Sequence, residues 1–539
     1  MKRSSILLLL TAVACSSSSR PSASPPEAQT RAVAPTPGAL SRINPNIVEE
    51  TDTYIIERLP KADYIRVDDR HLRHPVIGIP VEFFKEDDEY YYVITQKKIP
   101  EEESLKRELE KEGKIPAVQR ERKKPESAVP LSDFTDIALT RVSGRLKLDP
   151  AAETGLPAGG MWRSSFVVAD INGDGIPDIV APSPRMGDNK LHVWLGDGKG
   201  SFSEWPLIFR QNGKPAPNFA IGYGGVAVGD IDGDGKVDVV CAWHGGGLVS
   251  LFGDGKGGFE IERTGLPAGR DFSAQAVVLL DADGDGKLDI VASRDIVESN
   301  PGQGLDYRQI RVYLYRGKKG WEFKSDGLIG GLYSNSLTAW DYDGDGRKDV
   351  LTGSHYSGGL TLIWKNAGNA TFTPVLFKAI EIYAYHFASA PGTFGKSRVP
   401  AFADAYLMQT NTPESARAAG ITLYAFADGE WTRHRVWRKK DGKSLLYALA
   451  MGDLDGDGLD DVVFADSEER RLRVFFQQPD GSFVEVAENE EPALDSPGQC
   501  VRLADLDGDG RLDVVLSKTI TAADPRDKGG WNVYLNKVK

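Results

Sequence analysis

Asp281-Ala282-Asp283-Gly284-Asp285-Gly286-Lys287-Leu288-Asp289 is the stretch on which the fold turns. Aspartates stand at positions 1, 3, 5 and 9 of this nonapeptide and glycines at 4 and 6. The pattern, D-x-[DN]-G-D-G-x-x-D, occurs six times, starting at Asp170, Asp230, Asp281, Asp341, Asp453 and Asp505. Successive starts lie 60, 51, 60, 112 and 52 residues apart. The fourth step is about twice the others, so one unit has lost its motif and seven units result. Around each loop the grammar repeats. In the second unit Val226-Ala227-Val228 precedes the loop, and Val239-Val240-Cys241-Ala242-Trp243 follows it. After a glycine turn comes Leu248-Val249-Ser250-Leu251-Phe252. A second tight turn, Gly253 to Gly257, leads to Phe259-Glu260-Ile261. Four short strands per unit in seven units predict an all-β, seven-bladed β-propeller over 131–539, with the acidic loops joining strands 1 and 2 of six blades.

Such a loop suits calcium, which takes six to eight hard oxygen ligands from flexible chain. Side chains at positions 1, 3, 5 and 9 supply oxygens, position 7 supplies a backbone carbonyl, and the glycines permit the sharp turn. The expected ligand sets are Asp170, Asn172, Asp174, Asp178 and the Ile176 carbonyl; Asp230, Asp232, Asp234, Asp238 and Lys236; Asp281, Asp283, Asp285, Asp289 and Lys287. The other three are Asp341, Asp343, Asp345, Asp349 and Arg347; Asp453, Asp455, Asp457, Asp461 and Leu459; and Asp505, Asp507, Asp509, Asp513 and Arg511. Asn172 leaves the first loop one charge short. An EF-hand is excluded, because position 12 holds Ala181, Cys241, Ala292, Thr352, Phe464 and Leu516 where that motif needs Glu. About six structural Ca²⁺ ions would nearly neutralise a formal net charge of −13. In the unit without the motif, Lys396 and Arg398 stand where other units place aspartate, and a fixed cation is expected to replace the metal there.

The units resemble FG-GAP/VCBS repeats, as in the integrin α-subunit propeller and many bacterial surface proteins, and the resemblance covers about 131–539. It implies that the 2–3 and 4–1 loops line the face opposite the calcium loops. Trp162, Tyr223, Phe272, Tyr333 and Tyr447 fall in the 4–1 loops, and His244, Asp295 and His355 in the 2–3 loops. The ligand-face candidates are therefore Trp162, Tyr223, His244, Asp295, Tyr333 and His355, for a protein or glycan partner. Ring closure needs a fourth strand for the last blade, whose third strand is Trp531 to Leu535; Phe134 to Leu139 is expected to supply it.

The N-terminus reads as an address. Lys2 and Arg3 precede the short apolar run Ile6 to Ala14, and Ala12-Val13-Ala14-Cys15 resembles a lipobox. This implies a signal peptide over 1–14 and a lipid on Cys15, holding the chain to a bilayer, with the outer membrane the expected address. Residues 15–45, rich in Ser, Pro and Ala, read as a disordered tether. Residues 46–130 read as a small α+β module and linker: a hairpin with an acidic turn at Lys85 to Glu89, and an exposed helix over Glu101 to Glu112.

An acidic chain with pI ≈ 5.2 makes no nucleic-acid partner. Cys241 and Cys500 lie in separate strands and read as buried thiols, not as a disulfide framework. No catalytic constellation is legible. The expected function is a calcium-stabilised, membrane-anchored surface lipoprotein for binding, adhesion or assembly. The alternative is a carbohydrate-active, polysaccharide lyase-like enzyme on a calcium-binding propeller.

Overall fold

In the computed structural model the described residues are 47–50, 54–61, 65–66, 71–73, 80–96, 140–163, 165–294, 299–300, 304–305, 310–324, 336–353, 362–375, 385–408, 418–440, 442–521 and 524–537. Sequence expectations for the signal peptide, Cys15, the tether, the helix over 101–112 and the strand over 134–139 lie outside them. So do Asp295, Tyr333 and His355.

β-Branched and aromatic runs bounded by Asp-Gly turns form antiparallel sheets of four sequential strands. In blade 2, Val226–Gly229 pairs with Asp238–Trp243, that strand with Gly247–Gly253, and that with Gly258–Glu262. The two middle strands are covered on both faces by neighbouring blades. They therefore read as continuous apolar runs, and Val239, Val240, Cys241, Ala242, Val249 and Leu251 are all buried. Blades 1, 3, 4, 5 and 6 repeat the order from Val167–Ala169, Ala274–Leu280, Ser336–Trp340, Tyr385–Phe394 and Leu449–Gly452. The acidic loops join strands 1 and 2, as the spacing predicts. Blade 5, which has no acidic loop, has the longest strands of the ring: Tyr385–Phe394, Val399–Met408, Ala418–Ala427 and Glu430–Lys440.

Closure comes from a strand other than the one expected. Gly530–Asn536, the third strand of blade 7, pairs antiparallel with Leu148–Pro150, so the fourth strand lies beyond 134–139. Just before it, Arg141–Val142 adds a parallel strand outside Phe483–Val486 of blade 6. The N-terminal segment thus stitches blade 6 and then blade 7, and part of an open edge is covered.

Packing confirms the ring. Apolar clusters join each successive pair of blades: Val193 with Val249, Leu248 with Ile290, Val291 with Val350, Ile363 with Phe402, Ile421 with Phe464, Val474 with Val514, and Val515 with Ile179. The last pair returns blade 7 to blade 1. Cys241 and Cys500 are free and buried in different blades, as expected.

Of the residues before the propeller, 47–96 supply a six-stranded sheet in the order Ile47–Glu50, Tyr54–Pro60, Tyr90–Gln96, Pro80–Glu86, His71–Arg73, Ile65–Arg66. Its acidic turn is as expected. Asp87 Oδ1 accepts the N–H groups of Glu89 at 3.0 Å and Tyr90 at 2.8 Å.

Candidate metal loops and the opposite face

Each acidic loop is built by its own carboxylates. In blade 3, Asp281 Oδ1 accepts the N–H of Gly284 at 2.7 Å and of Asp285 at 3.1 Å, and Oδ2 accepts that of Gly286 at 2.9 Å. Asp285 Oδ1 takes the Lys287 N–H at 2.9 Å. These bonds recur in the other five loops at Asp170, Asp230, Asp341, Asp453 and Asp505. Gly284 and Gly286 have φ of 85° and 84°, which a side chain would resist.

Position 9 is the buckle between loop and sheet. Asp178, Asp238, Asp289, Asp349, Asp461 and Asp513 are all buried. One oxygen of each accepts the N–H of loop position 2, at 2.8–3.2 Å. The other accepts an N–H at the end of strand 3, at 2.7–3.0 Å, from Gly196, Gly253, Tyr315, Asn366, Gln477 and Asn536. Burial raises all six carboxyls, and the backbone donors only partly offset it. Asp238 and Asp289 are pushed up to about 7 and Asp349 to about 6.

The carboxylates at positions 1, 3 and 5 or 9 converge. In five loops three of their oxygens lie within 4.8 Å of one another. That is the span across a cation with oxygens at about 2.4 Å. Asp343 Oδ1 and Asp507 Oδ1, both at position 3, are buried without a hydrogen-bond donor, as ligand oxygens facing a metal would be. The loop at 170 falls outside this set. There Asn172 Nδ2 donates to Asp174 at 2.9 Å.

Sequence reading missed the cations beside four loops. Arg316 reaches Asp283 at 2.9 Å and Asp285 at 3.5 Å. Lys365 contacts Asp343 and lies 3.3 Å from Asp345; Lys537 contacts Asp507 and lies 3.3 Å from Asp509. In blade 6 the partner comes from the N-terminal segment: Arg145 contacts Asp455 and lies 3.0 Å from Asp457. Among the described residues no cation from another strand reaches the loops of blades 1 and 2. Asp197 and Asp254 stand there just beyond strand 3.

Of the two cations expected to replace the metal of blade 5, Arg398 reaches out of its own blade. Arg398 donates across the blade boundary to the Gly458 carbonyl, inside the loop of blade 6, and to Asp460 at 3.3 Å. Thr393 donates its N–H and hydroxyl to Asp460 at 2.7 and 2.8 Å.

The opposite face corrects one ligand-face expectation. Trp162 is only 5% exposed. Its ring packs 5.6 Å from Trp194 and 5.2 Å from Trp531, and its indole N–H donates to the Gly159 carbonyl at 2.9 Å. A large aromatic in a 4–1 loop closes the seam between blades 1 and 7 instead of meeting solvent. Phe272 is likewise fully buried. Tyr223 and His244 are half-exposed and stacked, with ring centroids 4.5 Å apart and planes inclined at 24°. Burial depresses the His244 imidazole, and Arg185 lowers it further.

The FG-GAP-like repeat profile matches residues 183–241, 230–292 and 453–516, and the FG-GAP repeat profile matches 162–194. The chain is an FG-GAP repeat propeller. The matched repeats include five of the acidic loops, those starting at Asp170, Asp230, Asp281, Asp453 and Asp505. Among solved structures the chain is similar to one titled "Crystal structure of BBS1N in complex with ARL6DN, soaked with lead". Identity is 11% and the TM-score 0.40, over 73% of this chain and 98% of that one. No curated protein matches the chain.

Proposed function

We propose that this FG-GAP propeller is a calcium-stabilised binding or assembly scaffold, exported and held to a membrane through a lipid on Cys15. The recurring loop register carries the reading. In five of the six acidic loops the carboxylates of positions 1 and 3 converge with that of position 5 or 9, while position 9 also fastens each loop to its sheet. Without a divalent ion such crowding of carboxylates is costly. Calcium would supply two positive charges per loop and bind only the folded arrangement, adding about 2.7 kcal/mol per site at a hundredfold excess over its Kd. The face away from the loops is then a rigid disc for a partner, with residues 15–45 as tether.

Thermal unfolding of the full chain tests the scaffold. The midpoint should fall on chelation and recover with calcium but not with equal magnesium. An unchanged midpoint would remove calcium from the reading. Mass spectrometry of the native protein tests the anchor by the acyl groups expected on Cys15. A second reading, a carbohydrate-active enzyme, draws support from the grouping of Tyr223, His244 and Arg185. It requires release of new reducing or unsaturated ends from a polysaccharide, lost in His244→Ala.

A further inference from the structure

Two arginines branch from one backbone junction on the face away from the acidic loops. The Met161 carbonyl accepts the backbone N–H of Arg163 at 3.0 Å and of Arg185 at 2.9 Å. One oxygen therefore ties the loop entering blade 1 to that blade's 2–3 loop, and the two side chains start from one point. The Arg185 guanidinium lies 5.6 Å from the centroid of the Tyr223 ring, which stacks on His244. Arg163 is exposed and hydrogen-bonds the Tyr447 side chain, which comes from the loop entering blade 6. Both arginines act on Tyr223, lowering its hydroxyl against the upward push of burial. Among the described residues no carboxylate pairs with either arginine. In a chain with 78 acidic and 65 basic side chains, two neighbouring arginines with no acid partner among the described residues stand out.

Next to them is Met186, 90% exposed and in the left-handed region at φ 61°. An unbranched apolar side chain held out beside arginine and tyrosine matches the composition of protein-binding surfaces, where Met, Tyr and Arg are enriched.

We infer that Arg163, Arg185, Met186, Tyr223 and His244 form a docking site for an acidic, apolar-flanked segment of a partner protein. A carboxylate seats on the guanidinium pair and its apolar neighbour on Met186. The planar guanidinium forks favour carboxylate geometry. The Tyr223 hydroxyl stays protonated as a further donor. The neutral His244 imidazole supports the Tyr223 ring without adding charge. Gly245, next to His244, donates its N–H to Ser273 Oγ at 2.6 Å, which anchors this loop to blade 3. The inference rests on the scaffold reading and names the partner's chemistry.

The test is fluorescence anisotropy of the calcium-loaded full chain with a labelled octapeptide alternating glutamate and leucine. Its glutamine counterpart and a glucuronate tetramer serve as comparators. Saturable binding of the glutamate peptide is expected. It should weaken at least about tenfold in Arg163→Gln/Arg185→Gln and about threefold in Met186→Ser, and fall with salt. No binding, equal binding of the glutamine peptide, or unchanged binding by the arginine variant overturns the site. Preference for the glucuronate tetramer overturns the protein partner and makes the site a glycan receptor. The calcium-dependent melting midpoint of each variant is measured alongside. It should match that of the parent, which separates loss of the site from misfolding. Failure of the scaffold reading would show there, as a midpoint indifferent to calcium.

Discussion

The Asp289 carboxylate accepts the Tyr315 N–H at 2.8 Å and so fastens an acidic loop to the third strand of its blade. Its other oxygen holds the Ala282 N–H at 2.9 Å. Both donors are buried. Asp289→Ala leaves two buried N–H groups unsatisfied and should cost about 2–5 kcal/mol. Asp289→Asn retains one acceptor oxygen and should cost less. Chemical denaturation at saturating calcium measures both. Equal stability of the alanine variant and the parent would show that the buckle contributes nothing.

The pH response of the calcium-free protein follows from the same carboxyls. Burial lifts Asp238 and Asp289 to about 7 and Asp349 to about 6, above the unfolded value of about 3.9. A raised carboxyl favours the native state while protonated. Its contribution is complete below the unfolded pKa and is lost as pH rises through the folded one. The calcium-free midpoint should therefore be higher at pH 5 than at pH 8. Calcium needs ionised ligands, so saturating calcium should reverse the order. Melts at the two pH values, with and without calcium, decide the sign.

Neighbouring cations should grade the loops. Lys365 and Arg316 already neutralise part of the charge that calcium would meet. Lys365→Gln and Arg316→Gln should tighten calcium binding a few-fold, by about 1 kcal/mol. Asn172→Asp should tighten the first loop by adding a carboxylate. Calorimetric titration should show the change in the tightness of a subset of sites at constant stoichiometry. Weaker binding in the glutamine variants would mean that these cations organise the loops instead of competing with calcium.

Blade 6 holds a buried ion cluster. Arg473, 3% exposed, bonds Glu485, itself fully buried, at 2.8 Å. It also lies 3.4 Å from Asp466, while Arg141 reaches the other Glu485 oxygen at 2.8 Å. Arg473→Met strands an acid in the core and should cost about 3–5 kcal/mol. The double variant Arg473→Met/Glu485→Gln should cost less than the sum of its parts. Urea denaturation of the three variants gives the coupling, and strict additivity would contradict a shared network.

Much of this protein was legible in its chain because the repeat is local. A nonapeptide with aspartates at 1, 3, 5 and 9 forms its own hydrogen bonds, so Asp281 and Gly286 announce a loop wherever it occurs. The doubled step before Asp453 located the blade without a motif, and Val239 to Trp243 read as a strand. Other features depend on contacts between distant segments. Arg145 meets Asp455, and Leu148–Pro150 closes blade 7 in place of 134–139. The distance from loop start to neighbouring cation differs among Arg316, Lys365 and Lys537, because connections within blades vary in length. No spacing rule could have found them. Trp162 looked like a surface aromatic because its loop does face outward. Only the seam with Trp194 and Trp531 shows that burial of its large apolar ring outweighed that position. Local spacing thus determined the blades and the acidic loops. Which strand closes the ring, which cation meets which carboxylate and which side chains stay open to a partner were decided by packing between blades, where residues hundreds of positions apart come within a few ångströms.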